Sequence, residues 1–306
     1  MLEVIVNPAG AGGEALKLWH QIEAYFDDIE HQVHFSSKNN DINDIASFLT
    51  SGNRDVSILL VGGDGSMNKL VNGIHHFDHV KVGFLACGSG NDLARSLHMS
   101  KDLNENIRKI KEGRVVRSLD LGQAEITDTD GNIHERRFNI SCGIGFDAAI
   151  CHGVNTSVIK KPLNKIHLGN LSYIMIALHT IFTHKRFALT VTNGEKKQVF
   201  PFSLFSVCMN EPYEGGGFAF CPDAKGDDGL LDLCTGGNLN QLDFFRIFPY
   251  AYKGNHVKFK EVWIDTTKDV IFETETPQWV HTDGETEFQA KRLRVYLSDE
   301  KLQMIN

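Results

Sequence analysis

The sequence predicts two domains, an open α/β domain followed by a mainly β, sandwich-like domain. Three observations predict it. A chain of 306 residues exceeds the size that one core usually fills. Within the first hundred residues, three short apolar runs each pass into a glycine-rich turn and then into an apolar pattern of helical spacing. From Arg114 onward short β-like runs dominate, with turn signals and few helical patterns between them. The change of pattern sets the boundary near Ser118, giving domains of 1–117 and 118–294.

The central turn follows Val56-Ser57-Ile58-Leu59-Leu60-Val61, an apolar run that reads as a buried strand. Gly62-Gly63-Asp64-Gly65-Ser66-Met67-Asn68 comes next. Leu70, Val71 and Ile74 then recur at helical spacing, so a helix starts near Ser66 or Met67. Glycines at such a turn let another group approach the backbone, and the helix amino end offers N–H groups and a positive dipole end suited to phosphate. Asp64 would repel phosphate, so it acts through Mg²⁺ or a positioned water, or it caps a helix.

The other two turns have the same form. The strand Leu2 to Val6 runs into Asn7-Pro8-Ala9-Gly10-Ala11-Gly12-Gly13, then a helix marked by Leu16, Trp19, Ile22, Tyr25 and Phe26. Neither the P-loop nor the dinucleotide fingerprint is present here. A plain βα turn and a phosphate cradle fit this segment equally. His31 to Ser36 reads as a strand and Asp41 to Leu49 as a helix. Val82 to Leu85 is a further strand, leading into Gly88-Ser89-Gly90-Asn91-Asp92-Leu93-Ala94-Arg95, with a helix from about Asn91 and another over Leu103 to Ile110. Asp92 either caps that helix or pairs with Arg95. In an open sheet the strands' carboxyl ends line one edge, where nucleotides bind.

In the second domain, strands are expected at Val115 to Leu121, Arg136 to Ile140, Phe187 to Thr192, Phe202 to Met209, Leu230 to Cys234 and Leu293 to Leu297. Asn155 to Arg186 carries Lys160, Lys161, Lys165, His167, Lys185 and Arg186 around apolar residues. It suits either a membrane-surface helix or a core helix with a basic entry loop. Four carboxylates (Asp223, Asp227, Asp228 and Asp232) crowd one turn, which lies open to water or gathers a hard cation. Asp283-Gly284, inside Val280-His281-Thr282-Asp283-Gly284-Glu285, is a hairpin signal that projects Glu285 from a β corner.

Composition narrows the function. Hydrophobic content of 42% and charged content of 23% are those of an ordinary globular chain. A net charge of −8 argues against nucleic acid as a partner. Six scattered cysteines with no C-x-x-C pair read as reduced core residues. With a strand-like opening and no apolar run of the roughly 18–20 residues of a span, the expected location is the cytoplasm. A homodimer through an exposed edge of the second domain is compatible with the sequence, which requires none.

Five segments in order resemble the diacylglycerol kinase catalytic-domain family, which includes soluble bacterial lipid kinases and the sphingosine kinases. They are Asn7 to Gly13, Gly62 to Ser66 (the family's GGDGT, with Ser66 for Thr), Gly88 to Asp92 (with Ser89 for Thr), Pro222 to Gly229, and Thr282 to Glu285. The resemblance covers essentially the whole chain. It implies a Rossmann-like first domain of the NAD kinase and phosphofructokinase type, to which the tail 295–306 returns, and an active site in the interdomain cleft. It implies ATP bound by Asn7, Pro8, Gly10, Gly12, Ser36, Gly62, Gly63, Asp64, Gly65, Ser66, Asn68, Gly88, Ser89 and Asn91. It implies Asp64, Asp92 and Asp120 arranging Mg²⁺–ATP and solvent, and Glu285 as general base. It also implies a structural Mg²⁺ held by the Asp228 side chain and the carbonyls of Lys225 and Leu230. The acceptor implied is a lipid alcohol, diacylglycerol foremost, reached by transient peripheral contact with the inner face of the membrane. Lys69 departs from the pattern, since an acidic residue is common there. Phosphofructokinases and NAD kinases share the GGDG loop but not the other segments. The alternatives are an NAD kinase-like enzyme of a soluble substrate and a nucleotide-binding regulator without turnover.

Overall fold

The computed structural model describes residues 1–156 and 179–306. The chain divides into two compact units. Unit 1 comprises Met1–Leu121, Gly226–Asp228 and Ser298–Asn306, and unit 2 comprises Gly122–Lys225 and Gly229–Leu297.

Unit 1 is built on parallel strands in the order β2 (His31–Phe35), β1 (Leu2–Val6), β3 (Val56–Gly62) and β4 (Val80–Ala86). All five residues of β1 are buried, as a strand covered on both faces must be. Its one carboxylate, Glu3, meets His34 Nε2 at 2.9 Å and Arg54 at 3.4 Å. The helices are α1 (Glu14–Ile22), α2 (Ile42–Leu49), α3 (Asp64–Gly73), α4 (Asp92–Ser96) and α5 (Leu103–Glu112). One core face joins Val4, Val6, Leu59, Val61 and Leu85 to Trp19, Ile22, Ile107 and Ile110.

The first helix is shorter than its apolar pattern predicts. It gives way at Glu23–Phe26 to a 3₁₀ turn, which buries Phe26 and leaves Tyr25 52% exposed. At the end of the chain, Gln303 and Met304 pair in parallel with Lys81 and Val82 of β4. Asn306 then bonds both backbone groups of Phe84, accepting its N–H at 2.8 Å and donating to its carbonyl at 2.9 Å.

Unit 2 is a β sandwich-like body. Its strands are β6 (Ile133–Phe138), β7 (Ser141–Gly145), β8 (Phe187–Asn193), β9 (Lys196–Ser203), β10 (Phe205–Met209), β11 (Tyr213–Glu214), β12 (Phe218–Ala219), β13 (Leu231–Gly236), β14 (Val262–Thr267) and β15 (Asp269–Thr282). Two strands run through both units: β5 (Arg117–Asp128) and the 20-residue β16 (Glu285–Met304). The short strand expected at Leu293 to Leu297 is thus one stretch of a much longer one, whose alternation continues on either side.

β15 pairs with different neighbours along its length. Val270–Thr274 pairs with β8, whereas Val280–Thr282 pairs with β7. Register shifts between Glu273 and Gln278 and between Trp279 and His281 turn the strand from one neighbour to the other. The core of this unit joins Phe138, Ile144, Leu189, Val191, Leu231, Leu233, Phe272, Val280 and Leu293.

Two helices that the strand-rich pattern conceals belong to unit 2: α6 (Phe146–Thr156) directly after β7, and α7 (Gln241–Ala251). Of the basic-apolar stretch Asn155 to Arg186, residues 157–178 lie outside the described residues. Residues 179–183 are helical.

Candidate functional site

In unit 1 the three glycine turns stand at the carboxyl ends of β1, β3 and β4, as parallel strands oblige. Side chains and close backbone packing knit them together. Asn7 Nδ2 donates to Ser66 Oγ at 2.9 Å, joining the first turn to the second. Gly63 and Gly88 join the second to the third, because a Cβ on Gly63 would stand 2.9 Å from Gly88 Cα. Only two glycines let these backbones approach so closely. Asn91 adopts a left-handed conformation (φ 52°), which asparagine tolerates, and its Oδ1 accepts the Gly88 N–H at 2.7 Å.

The helix after the second turn begins at Asp64, two residues earlier than its apolar spacing indicates. Asp64 caps a helix, though not its own. Its Oδ2 accepts the Asp92 N–H at 3.1 Å and its Oδ1 the Leu93 N–H at 3.3 Å, at the start of α4. The Asp92 carboxylate is buried and paired with Arg95. Room for the two acids lies beside Gly90, whose absent Cβ would sit 3.3 Å from Asp64 Oδ2 and 3.1 Å from Asp92 Oδ2. These are oxygen donors, the set that Mg²⁺ takes.

The remaining nucleotide candidates are partly placed by the same packing. Ser66 and Asn68 are buried on α3. Gly12 (φ 72°) lies in a left-handed stretch after Gly10, before α1. Pro8, in the first turn, and Gly65, in the first turn of α3, are half-buried, and Ser89 is exposed. Ser36 continues β2 with its N–H on the Val6 carbonyl at 3.0 Å.

Asp120 is 3% exposed and accepts from the Lys301 ammonium, while its N–H donates to the Gly226 carbonyl at 2.6 Å. Lys69 points elsewhere. Its ammonium is 3.1 Å from Asp41, the cap of α2. Partial burial would raise the Asp41 pKa, but the Asp44 N–H and Lys69 outweigh it and hold it below the usual value.

Lys225, Asp227 and Asp228 are exposed, and Asp227 lies 3.9 Å from Arg117. Carboxylate and carbonyl oxygens are the donors that a hard cation takes.

Unit 2 carries Glu285 on the first residue of β16, exposed, across the β15–β16 hairpin from Thr282. Asp283 (φ 50°) and Gly284 (φ 81°) form the two-residue turn, both left-handed as a type I′ turn requires. The Asp283 carboxylate accepts the backbone N–H groups of Asn139, Ile140 and Ser141 at 3.0, 2.8 and 3.0 Å. Hydrogen bonds to a charged group contribute about 1.5–3 kcal/mol each, so this corner is firmly anchored.

Behind the turn, His281 is fully buried. Its Nε2 lies 3.0 Å from Asp147 Oδ2 and 3.2 Å from Glu214 Oε1. Burial opposes a charged ring, whereas Glu214 and Asp147 favour one. Sequence reading missed this trio. Only the histidine, two positions before Asp283, stood beside a recognised segment. All six cysteines are free thiols, as their scatter predicts.

An α/β unit with three interlocked glycine turns and a β sandwich-like unit are the two parts of a kinase fold. Residues 1–124 match the diacylglycerol kinase catalytic domain, and residues 141–300 match the YegS C-terminal NAD kinase beta sandwich-like domain. The chain belongs to the diacylglycerol kinase catalytic-domain family and is a lipid kinase.

It is 28% identical over 290 residues to the putative lipid kinase YtlR of Bacillus subtilis, covering 92% of each chain. A diacylglycerol kinase of Mycobacterium tuberculosis is 26% identical over 233 residues, 75% of this chain and 70% of that one. In fold it resembles a putative diacylglycerol kinase from Bacillus anthracis (TM-score 0.72, 22% identity, 99% of this chain and 96% of that one). Yeast NADH kinase shares the fold at TM-score 0.52 and 9% identity, over 99% and 82% of the chains.

Proposed function

We propose that this protein transfers the γ-phosphate of ATP to the hydroxyl of a lipid alcohol, with diacylglycerol as acceptor and phosphatidic acid as product. The observation that carries the reading is the interlocking of the three glycine turns at the ends of parallel strands. It presents the α3 amino end and closely packed backbone, with two carboxylates alongside, as a phosphate and metal site needs.

The first two turns and α3 hold the phosphates, through Asn7, Pro8, Gly10, Gly12, Gly62, Gly63, Gly65, Ser66 and Asn68. Gly88, Ser89 and Asn91 hold them from the third turn, and Ser36 borders the nucleotide. Asp64, Asp92 and Asp120 orient metal-bound phosphate and water. Mg²⁺, when bound, neutralises charge on the β- and γ-phosphates. Glu285, exposed on a rigid hairpin, accepts the proton of the lipid hydroxyl as its oxygen attacks phosphorus. Asp228, with the carbonyls of Lys225 and Leu230, holds a second, structural Mg²⁺.

Contact with a bilayer surface has support in unit 2. Phe182 is 68% and Leu242 81% exposed, the Phe182 and Phe245 rings lie 5.7 Å apart, and the Arg186 guanidinium covers Phe202. Apolar side chains with a cation beside them suit an anionic lipid surface. Among the described residues no helix is long and apolar enough to cross a membrane. Lys69, which departs from the family pattern, pairs with Asp41 at the α2 cap.

The test is transfer of labelled γ-phosphate from Mg–ATP to diacylglycerol in mixed micelles, with Glu285→Gln in parallel. Labelled phosphatidic acid from the wild type alone is the expected result. Full activity in the variant removes Glu285 as the base. No labelled lipid from either rules out diacylglycerol, and NAD is then the acceptor to try first.

A further inference from the structure

The trio behind the hairpin has the distances of a metal site, since Asp147, Glu214 and His281 each bring a ligand atom to within 4.8 Å of the others. Hydrogen bonding points away from metal. The Gly284 N–H donates to His281 Nδ1 at 3.2 Å. A ring that accepts at Nδ1 carries its proton on Nε2, where a metal would need the lone pair. That Nε2–H is shared by the two carboxylates instead.

The architecture around the trio is built for this contact. His281 lies opposite Gly143 across the β15–β7 pair. A Cβ on Gly143 would stand 2.0 Å from Asp147 Oδ2 and 2.5 Å from His281 Nε2. A side chain of any size there would push acid and ring apart, so the glycine opens the space in which they meet.

The same ring reaches the hairpin through its other nitrogen. Gly284 is gripped at both ends: its N–H by His281, and its carbonyl by Asn155 Nδ2 at 3.0 Å. That carbonyl belongs to the peptide bond of Glu285. Asp283 fixes the preceding residue through the backbone of Asn139, Ile140 and Ser141. His281 is therefore a side chain that joins the two acids to the peptide carrying Glu285.

We propose that His281, held at Nε2 by Asp147 and Glu214, is a positioning residue that sets the orientation of Glu285. The inference rests on the reading of Glu285 as general base. A base must lie within hydrogen-bond reach of the proton it takes, and small misplacements are costly, so loss of this support lowers turnover while nucleotide binding stays intact.

The experiment is a set of variants assayed by labelled phosphate transfer to diacylglycerol: His281→Gln, Asp147→Asn, Gly143→Ala, Glu285→Asp and the double variant His281→Gln with Glu285→Asp. His281→Gln and Asp147→Asn are expected to lower kcat by about tenfold or more, with KM for ATP unchanged. Gly143→Ala leaves every polar group of the trio in place and separates them, and it should reproduce the loss.

The double variant separates positioning from simple support of the fold. If His281 acts through Glu285, its loss adds little once the base has been shortened. A defect that multiplies in full in the double variant overturns the proposal, as does wild-type kcat in His281→Gln. Full activity in Glu285→Asp and Glu285→Gln would instead overturn the reading of Glu285, a separate outcome.

Discussion

The carboxylate of Asp64, first residue of α3, accepts the backbone N–H of Asp92 at 3.1 Å and that of Leu93 at 3.3 Å, and so caps α4. One side chain thereby ties the second glycine turn to the third. Position and charge of the two acids are linked, because Asp64 orders the backbone that carries Asp92.

Asp64→Asn keeps an acceptor for α4 and removes the charge, whereas Asp64→Ala removes both. Loss of a cap costs about 0.5–2 kcal/mol, so urea unfolding should show that deficit in Asp64→Ala and less in Asp64→Asn. Phosphate transfer is expected to fall steeply in both. Wild-type transfer by Asp64→Asn would confine Asp64 to capping.

Lys69→Glu places a carboxylate against Asp41 in place of an ion pair. The two side chains are 46% and 37% exposed, so the pair contributes little. The variant should lose no more than about 1 kcal/mol in chemical denaturation. Transfer should stay within a few-fold of wild type, because Lys69 points to the α2 cap. Collapse of activity at unchanged stability would put Lys69 in the catalytic network instead.

Asp228→Ala tests the structural cation. Mg²⁺ that binds only the folded protein stabilises it by mass action. Added Mg²⁺ should raise the wild-type Tm in the absence of nucleotide and leave that of Asp228→Ala unchanged. Equal Mg²⁺ responses in the two proteins would remove Asp228 as a ligand.

Much of unit 1 is legible in the chain because its signals are local. An apolar run, a glycine turn and a helical spacing mark βαβ units wherever they occur, and the structure adds only detail, such as the 3₁₀ turn that exposes Tyr25. Unit 2 is less legible. The bend of β15 between β8 and β7 and the length of β16 depend on which strands pair, and pairing partners are distant in sequence.

By itself the sequence determined the two-part organisation, the three glycine turns and the hairpin that bears Glu285, since periodicity and turn chemistry are properties of neighbouring residues. Tertiary structure alone decided that Asp64 caps α4, that Lys69 turns to Asp41, and that Asp147, Glu214 and His281 meet over Gly143. Asp147 and His281 are separated by 134 positions in the chain. Their encounter follows from the pairing of β7 with β15 and from the missing side chain at Gly143, neither of which leaves a local pattern.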